Sequence, residues 1–140
     1  MHSSIRIPLS VVLALSLFSG CAPQPAPQKT VTIDSTLPVP SMNGYIADIT
    51  SAAFEWKPIE DMRVVGYYVY RDTPGGEDPN LHRIATVDSR YATHFVDSDL
   101  KPSSHYQYRF ATFTSSGSES VGSETMVIET LPMIAPVSFF

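Results

Sequence analysis

The chain carries one thiol, Cys21, and four imidazoles, His2, His82, His94 and His105. A thiol can act as a nucleophile, a redox group, half of an intermolecular disulfide or a point of modification. A single one cannot close an internal disulfide or build a thiolate-rich zinc site. His82, His94 and His105 lie on separate segments with no H-E-x-x-H or comparable ligand spacing. His94 and His105 have Asp97 and Asp99 nearby in sequence, an acidic pair that a fold could bring to them; the alternative is solvated loop histidines. Serines are plentiful, but no Gly-x-Ser-x-Gly elbow and no glycine-rich phosphate loop is present. Asp72 to Asn80, with Glu77 and Asp78, reads as a polar hairpin loop. It could hold calcium weakly, yet it lacks the ligand spacing of an EF-hand. Glu60-Asp61 is most simply a solvated turn. No enzyme, no cofactor and no metal site is expected.

Composition narrows the remaining classes. The chain has 140 residues, 16% of them charged, with a net charge of −5. Such a chain releases few counterions from a phosphate backbone, which argues against a nucleic-acid partner. Its hydrophobic content of 43% suffices for one core.

The surroundings of Cys21 bear on the use of its thiol. Arg6 and the amino terminus give a positive start, and Ile7 to Phe18 is uncharged and mostly apolar. This is a signal-peptide hydrophobic region, too short to span a bilayer as a permanent helix. It closes in Phe18-Ser19-Gly20-Cys21, which resembles the cleavage site of bacterial lipoproteins, with Phe18 where Leu is usual. The resemblance implies cleavage before Cys21 and lipid attachment to it, through a thioether-linked diacylglycerol and an acylated amine. At about 0.8 kcal/mol per buried methylene, two or three chains anchor firmly where one does not. Ala22, in place of Asp, resembles outer-membrane sorting in Gram-negative lipoproteins. The expected location is then the cell envelope, on an outer-membrane lipid anchor at the surface or periplasmic face. The alternative is an ordinary secretory signal with an incidental Cys. Residues 1–20 are expected as the signal peptide, and 21–40 as the lipidated Cys and a tether. Pro23, Pro25, Pro27, Pro38 and Pro40 favour extended polyproline II there.

From about residue 41 the elements change to short runs of period two. Ala52, Phe54 and Trp56 alternate with Ala53, Glu55 and Lys57 until Pro58. Val65, Tyr67 and Val69 alternate with Gly66, Tyr68 and Tyr70. Leu81 to Val87 forms a weaker run, Tyr106, Tyr108, Phe110 and Thr112 a strong one, and Met126 and Ile128 sit in a last one. Thr-Pro-Gly-Gly, Asp-Pro-Asn and Ser-Ser-Gly turns separate them. About seven strands in about 90 residues predict an all-β, two-sheet sandwich.

Several motifs then resemble the fibronectin type III family, in order and over roughly residues 38 to 132. They are Trp56-Lys-Pro58, Gly66-Tyr-Tyr-Val-Tyr-Arg71, Phe95-Val-Asp97, Leu100-Lys-Pro102 followed by Tyr106, and the turn through Gly117. Thr112 and Thr114 depart from the family's Ala-x-Asn pattern. The resemblance implies a seven-stranded, immunoglobulin-like fibronectin type III sandwich over residues 41–132. Its core is expected to hold Trp56, Tyr67, Val69, Leu100, Tyr106, Tyr108 and Phe110, with the Tyr106 hydroxyl bonding backbone just upstream. If Tyr67 and Val69 face the core, Tyr68 and Tyr70 face outward; if Tyr106, Tyr108 and Phe110 face in, Arg109 and Phe113 face out. Tyr68, Tyr70, Arg109 and Phe113 are therefore the candidate binding face, of residue types enriched at hot spots. Ordinary strand propensity is the competing explanation.

Residues 133–140 are expected to be a linker or the start of a truncated second module, since Pro136-Val-Ser-Phe resembles an opening strand. The alternative is a tail packed back on the first module. Anchor, stalk and module together resemble Gram-negative surface lipoproteins with tandem type III modules, some of them adhesins. That implies an adhesion or binding protein whose partner is a host extracellular-matrix protein such as fibronectin. Two alternatives stand beside it: a structural envelope spacer or assembly protein, and an accessory module of a longer secreted enzyme.

Overall fold

The computed structural model describes residues 30–72 and 81–134, and every regular element among them is a strand. In chain order these are β1 (Thr32–Ile33), β2 (Met42–Ala47), β3 (Ala52–Trp56), β4 (Val64–Arg71) and β5 (His82–Val87). There follow β6 (His94–Asp97), β7 (His105–Thr114), β8 (Ser118–Glu119) and β9 (Met126–Glu129). The larger sheet runs β1-β8-β7-β4-β5, with β9 also on β7, and the smaller runs β2-β3-β6. All pairings are antiparallel except the parallel contact of β1 with β8. The two sheets form the expected sandwich. β2 to β7 supply six of its strands, and β8 and β9 are two halves of the seventh. Ser120 and Ser123 bridge those halves. Their N–H groups donate to the carbonyls of Thr112 and Phe110, at 2.9 and 2.7 Å. Their hydroxyls accept from the N–H groups of the same two residues, each at 3.0 Å.

Alternation in the sequence becomes burial here. Ala52, Phe54 and Trp56 on β3 point inward against Tyr67 and Val69 on β4, Tyr106, Tyr108 and Phe110 on β7, Leu100 and Ile128. Trp56 sits at the centre, its ring 5.0 Å from Tyr67 and 5.3 Å from Phe110. Burying such a side chain removes roughly 150–250 Å² from water, about 4–6 kcal/mol as an upper figure. Its indole N–H is the one buried side-chain donor without an acceptor among the described residues. The Tyr106 hydroxyl accepts from Lys101 N–H at 2.8 Å, fixing the crossover before β7.

Two expectations are corrected. Val64, not Val65, is buried at the start of β4, while Val65 is exposed. A register shift between Val64 and Gly66 adds a residue to the strand, and a bulge reverses the side-chain alternation on one side of it. The segment expected to be tether up to residue 40 is packed from Thr32 onward. Thr32–Ile33 pairs with β8, Leu37 is buried, and Thr112 Oγ1 donates to the Pro38 carbonyl at 2.8 Å. Arg63 holds the same segment, donating to Thr36 Oγ1 at 2.9 Å and the Thr36 carbonyl at 3.0 Å. Proline-poor residues 31–37 carry apolar side chains and free amides, which the sandwich edge can use.

Candidate binding face

Strand register places the candidate residues in rows on the outer side of the larger sheet. Tyr70 on β4 stands opposite Arg83 on β5 and Arg109 on β7. Tyr68 stands opposite Thr86 and Ala111. Gly66 stands opposite Phe113, which faces Glu119 on β8, which faces Ile33 on β1. Tyr68, Tyr70, Arg109 and Phe113 thus share one face, and Arg83, Glu119 and Ile33 join them.

The face is less open than expected. Phe113 is only 8% exposed. A Cβ on Gly66 would lie 2.1 Å from the Val87 carbonyl oxygen and 2.9 Å from the Phe113 ring, so the missing side chain is what admits that ring. Phe113 then stacks on Tyr68 with centroids 4.1 Å apart and planes 7° from parallel. The Arg83 guanidinium lies 4.3 Å from the centre of the same ring, so Tyr68 is held between a ring and a cation. The sequence-based reading of Phe113 as exposed fails because it knew the face but not the hollow over Gly66.

Beside this stack, the Tyr70 hydroxyl donates to the carboxylate of Glu119, which is 4% exposed. Burial, then the bond and charge of Glu119, push the Tyr70 phenol well above its ordinary value. Arg109 is exposed, and its guanidinium donates to Thr125 Oγ1 at 3.1 Å. Its stem fills the space over Gly122, where a Cβ would come within 2.2 Å of Arg109 Cδ. Among the described residues Arg63 and Arg71 pair with acids, whereas Arg83 and Arg109 have no acidic partner. Along this face runs an open groove of about 470 Å³ lined by Tyr70, Arg109, Glu119, Thr125, Val31 and Ile33.

A second tyrosine–carboxylate pair lies between the sheets. Asp97 at the end of β6 accepts from Tyr108 Oη and from Arg71 Nη1, both at 2.6 Å. Burial first, then Asp97, raises the Tyr108 phenol; burial pulls the Arg71 guanidinium down, but the bond and charge of Asp97 outweigh it. Asp97 is therefore engaged by Arg71 and Tyr108, and His105 faces Glu129 at 3.5 Å. Among the described residues no three metal-ligating side chains come together. Cys21, and residues 73–80 of the calcium-loop reading, lie outside the described residues.

Arg83, Glu119 and the β1 residues were missed from sequence. Arg83 could have been found by extending the face across β4 to its other neighbour. Glu119 and Ile33 could not, because a two-residue strand leaves no periodic signal.

This β-sandwich is fibronectin type III-like. No family model matches the chain, and no curated protein matches it. Solved structures do. The crystal structure of chicken CNTN1 FN1-FN3 domains is 21% identical with a TM-score of 0.58, over 67% of this chain and 32% of that one. The fn3 domain of human contactin 1 is 14% identical with a TM-score of 0.62, over 84% of this chain and 96% of that one. A beta-1,2-glucanase from Parabacteroides distasonis is 19% identical with a TM-score of 0.56, over 68% of this chain but 13% of its own. At these identities the likeness defines the fold alone.

Proposed function

We propose that the protein is an envelope-tethered binding module, lipid-anchored through Cys21, that recognises a macromolecular partner non-covalently and turns over no substrate. The observation that supports this reading is the outer face of the larger sheet. There Arg83 and Arg109 flank Tyr70 without acidic partners among the described residues, beside a groove with exposed Val31 and Ile33. Arg and Tyr concentrate binding energy because they combine broad apolar area with directed hydrogen bonds. A host extracellular-matrix protein such as fibronectin is the first partner to test.

The test is solid-phase adhesion of the lipid-free chain to matrix proteins, with the wild type and the Tyr70→Ala/Arg109→Ala double variant. Adhesion by the wild type that falls about tenfold or more in the variant, with folding intact, supports the reading; each lost hot spot typically removes about 2 kcal/mol or more. Unchanged adhesion removes this face.

A spacer role is the second reading, and one observation favours it. Tyr68 and Phe113 satisfy each other, and Tyr70 is satisfied by Glu119, so much of the face serves the module itself. Wild-type chain that is displayed on cells but adheres to no matrix protein would select the spacer.

A further inference from the structure

We propose that the Arg83–Tyr70–Arg109 row and its groove bind an extended, acidic polypeptide segment with two carboxylates separated by apolar residues. This rests on the binding-module reading and names the chemistry of the partner.

Both arginines belong to one cross-strand row, on strands to either side of β4. Neighbouring strands are about 4.8 Å apart, so the two backbones lie about 10 Å apart. In an extended peptide, acidic residues at i and i+4 are about 13 Å apart and those at i and i+2 about 7 Å. Flexible arginine side chains cover that range. With acids at i and i+4, the residue at i+2 points to the same side and falls on the Tyr70 ring. Apolar residues beyond the acids reach Val31 and Ile33, which are 51% and 56% exposed.

The guanidinium fork matches a carboxylate in bidentate fashion, which a lysine would not. Arg109 is pre-positioned by Thr125 Oγ1 and by the space over Gly122, and Arg83 by the Tyr68 ring. Glu119 does not take either cation, because its carboxylate is buried and turned to the Tyr70 hydroxyl. A densely charged polyanion fits less well. Among the described residues the row offers only two cations, and a chain of net charge −5 repels sulfated glycans and nucleic acids at long range. A peptide with separated carboxylates escapes most of that repulsion and gains the apolar contacts as well.

The experiment titrates the full chain with a short synthetic peptide carrying glutamates at i and i+4 in a Val/Thr background, by fluorescence polarisation at low salt. Its glutamine counterpart and heparin are the comparison probes. Expected are binding of the glutamate peptide, weakening with salt, and a roughly tenfold loss in Arg109→Gln and in Arg83→Gln, the loss of about one charge-assisted bond each. Arg109→Lys, which keeps the charge but not the fork, should also weaken binding, and circular dichroism melting checks that each variant folds. Equal binding of the glutamine peptide, no response to either arginine, tighter binding of heparin, or no binding at all overturns the proposal. A wild-type chain that adheres to matrix protein yet ignores the peptide refutes this inference alone; one that does neither refutes the binding reading as well.

Discussion

The two faces of the larger sheet carry the same pair of groups in different company. Inside the sandwich, Tyr108 donates to Asp97, and Arg71 completes the set with an ion pair at 2.6 Å. Outside, Tyr70 donates to Glu119, and no guanidinium among the described residues completes it, although Arg83 and Arg109 are in the same row as Tyr70. A carboxylate withdrawn from water needs a compensating partner, and a charged one compensates most. The inner set is closed: Asp97 on β6 takes both the Arg71 guanidinium from β4 and the Tyr108 hydroxyl from β7. The outer set is open, with cations that its own acid does not use. An exposed polar group whose demands are met within the fold serves the fold, and one with capacity left over is free to meet a partner.

Asp97→Ala tests the closed set and should have the largest effect. It strands Arg71 and the Tyr108 hydroxyl, and we expect a loss of about 2–4 kcal/mol in urea unfolding, reduced from a full buried pair because water reaches Arg71. Glu119→Ala removes one acceptor from Tyr70 and should cost about 1 kcal/mol. Equal losses would erase the distinction between the two faces. Gly66→Ala comes next. It forces a Cβ against the Val87 carbonyl and the Phe113 ring, and overpacking of this kind costs about 1–3 kcal/mol. Near-ultraviolet circular dichroism should also lose signal from the Tyr68–Phe113 stack. Unchanged stability would mean that the outer stack is not seated by the glycine.

The smallest effect lies at alkaline pH. Tyr70 and Tyr108 are both raised from the ordinary phenol value of 10.0, by burial first and by their carboxylates second. Their contribution to stability is complete below that value. It declines once the unfolded chain starts to ionise there, and it is lost as pH rises through the folded values. Absorbance of tyrosinate should therefore show two phenols that ionise only with unfolding. Tyr70→Phe and Tyr108→Phe should each remove one of them, and a lag lost in neither variant would contradict the assignment.

Much of this architecture was legible in the sequence. Alternation in 52–57 and 106–112 marks β3 and β7 because side chains on a strand point alternately to its two sides. The same alternation assigned Tyr68, Tyr70 and Arg109 to the outer side. It failed at Val65, where a bulge resets the count, and at Phe113, whose burial depends on what the neighbouring strand lacks. It was silent on β1 and β8, whose two residues each are shorter than any period.

The sequence by itself determined the period of each strand, the turns between them and hence the two-sheet sandwich, because these depend on residues near one another in the chain. The resemblance carried by Leu100-Lys-Pro102 and Tyr106 also implied that the Tyr106 hydroxyl would find backbone upstream, a bond that closes within five residues. Only the tertiary structure decided that Arg71 is matched by Asp97 while Arg109 has no acidic partner among the described residues, and that residues 31–40 lie against the module. Those outcomes depend on register and on which distant side chains come within a few ångströms. Local propensity carries no information about distances between strands that are far apart in the chain.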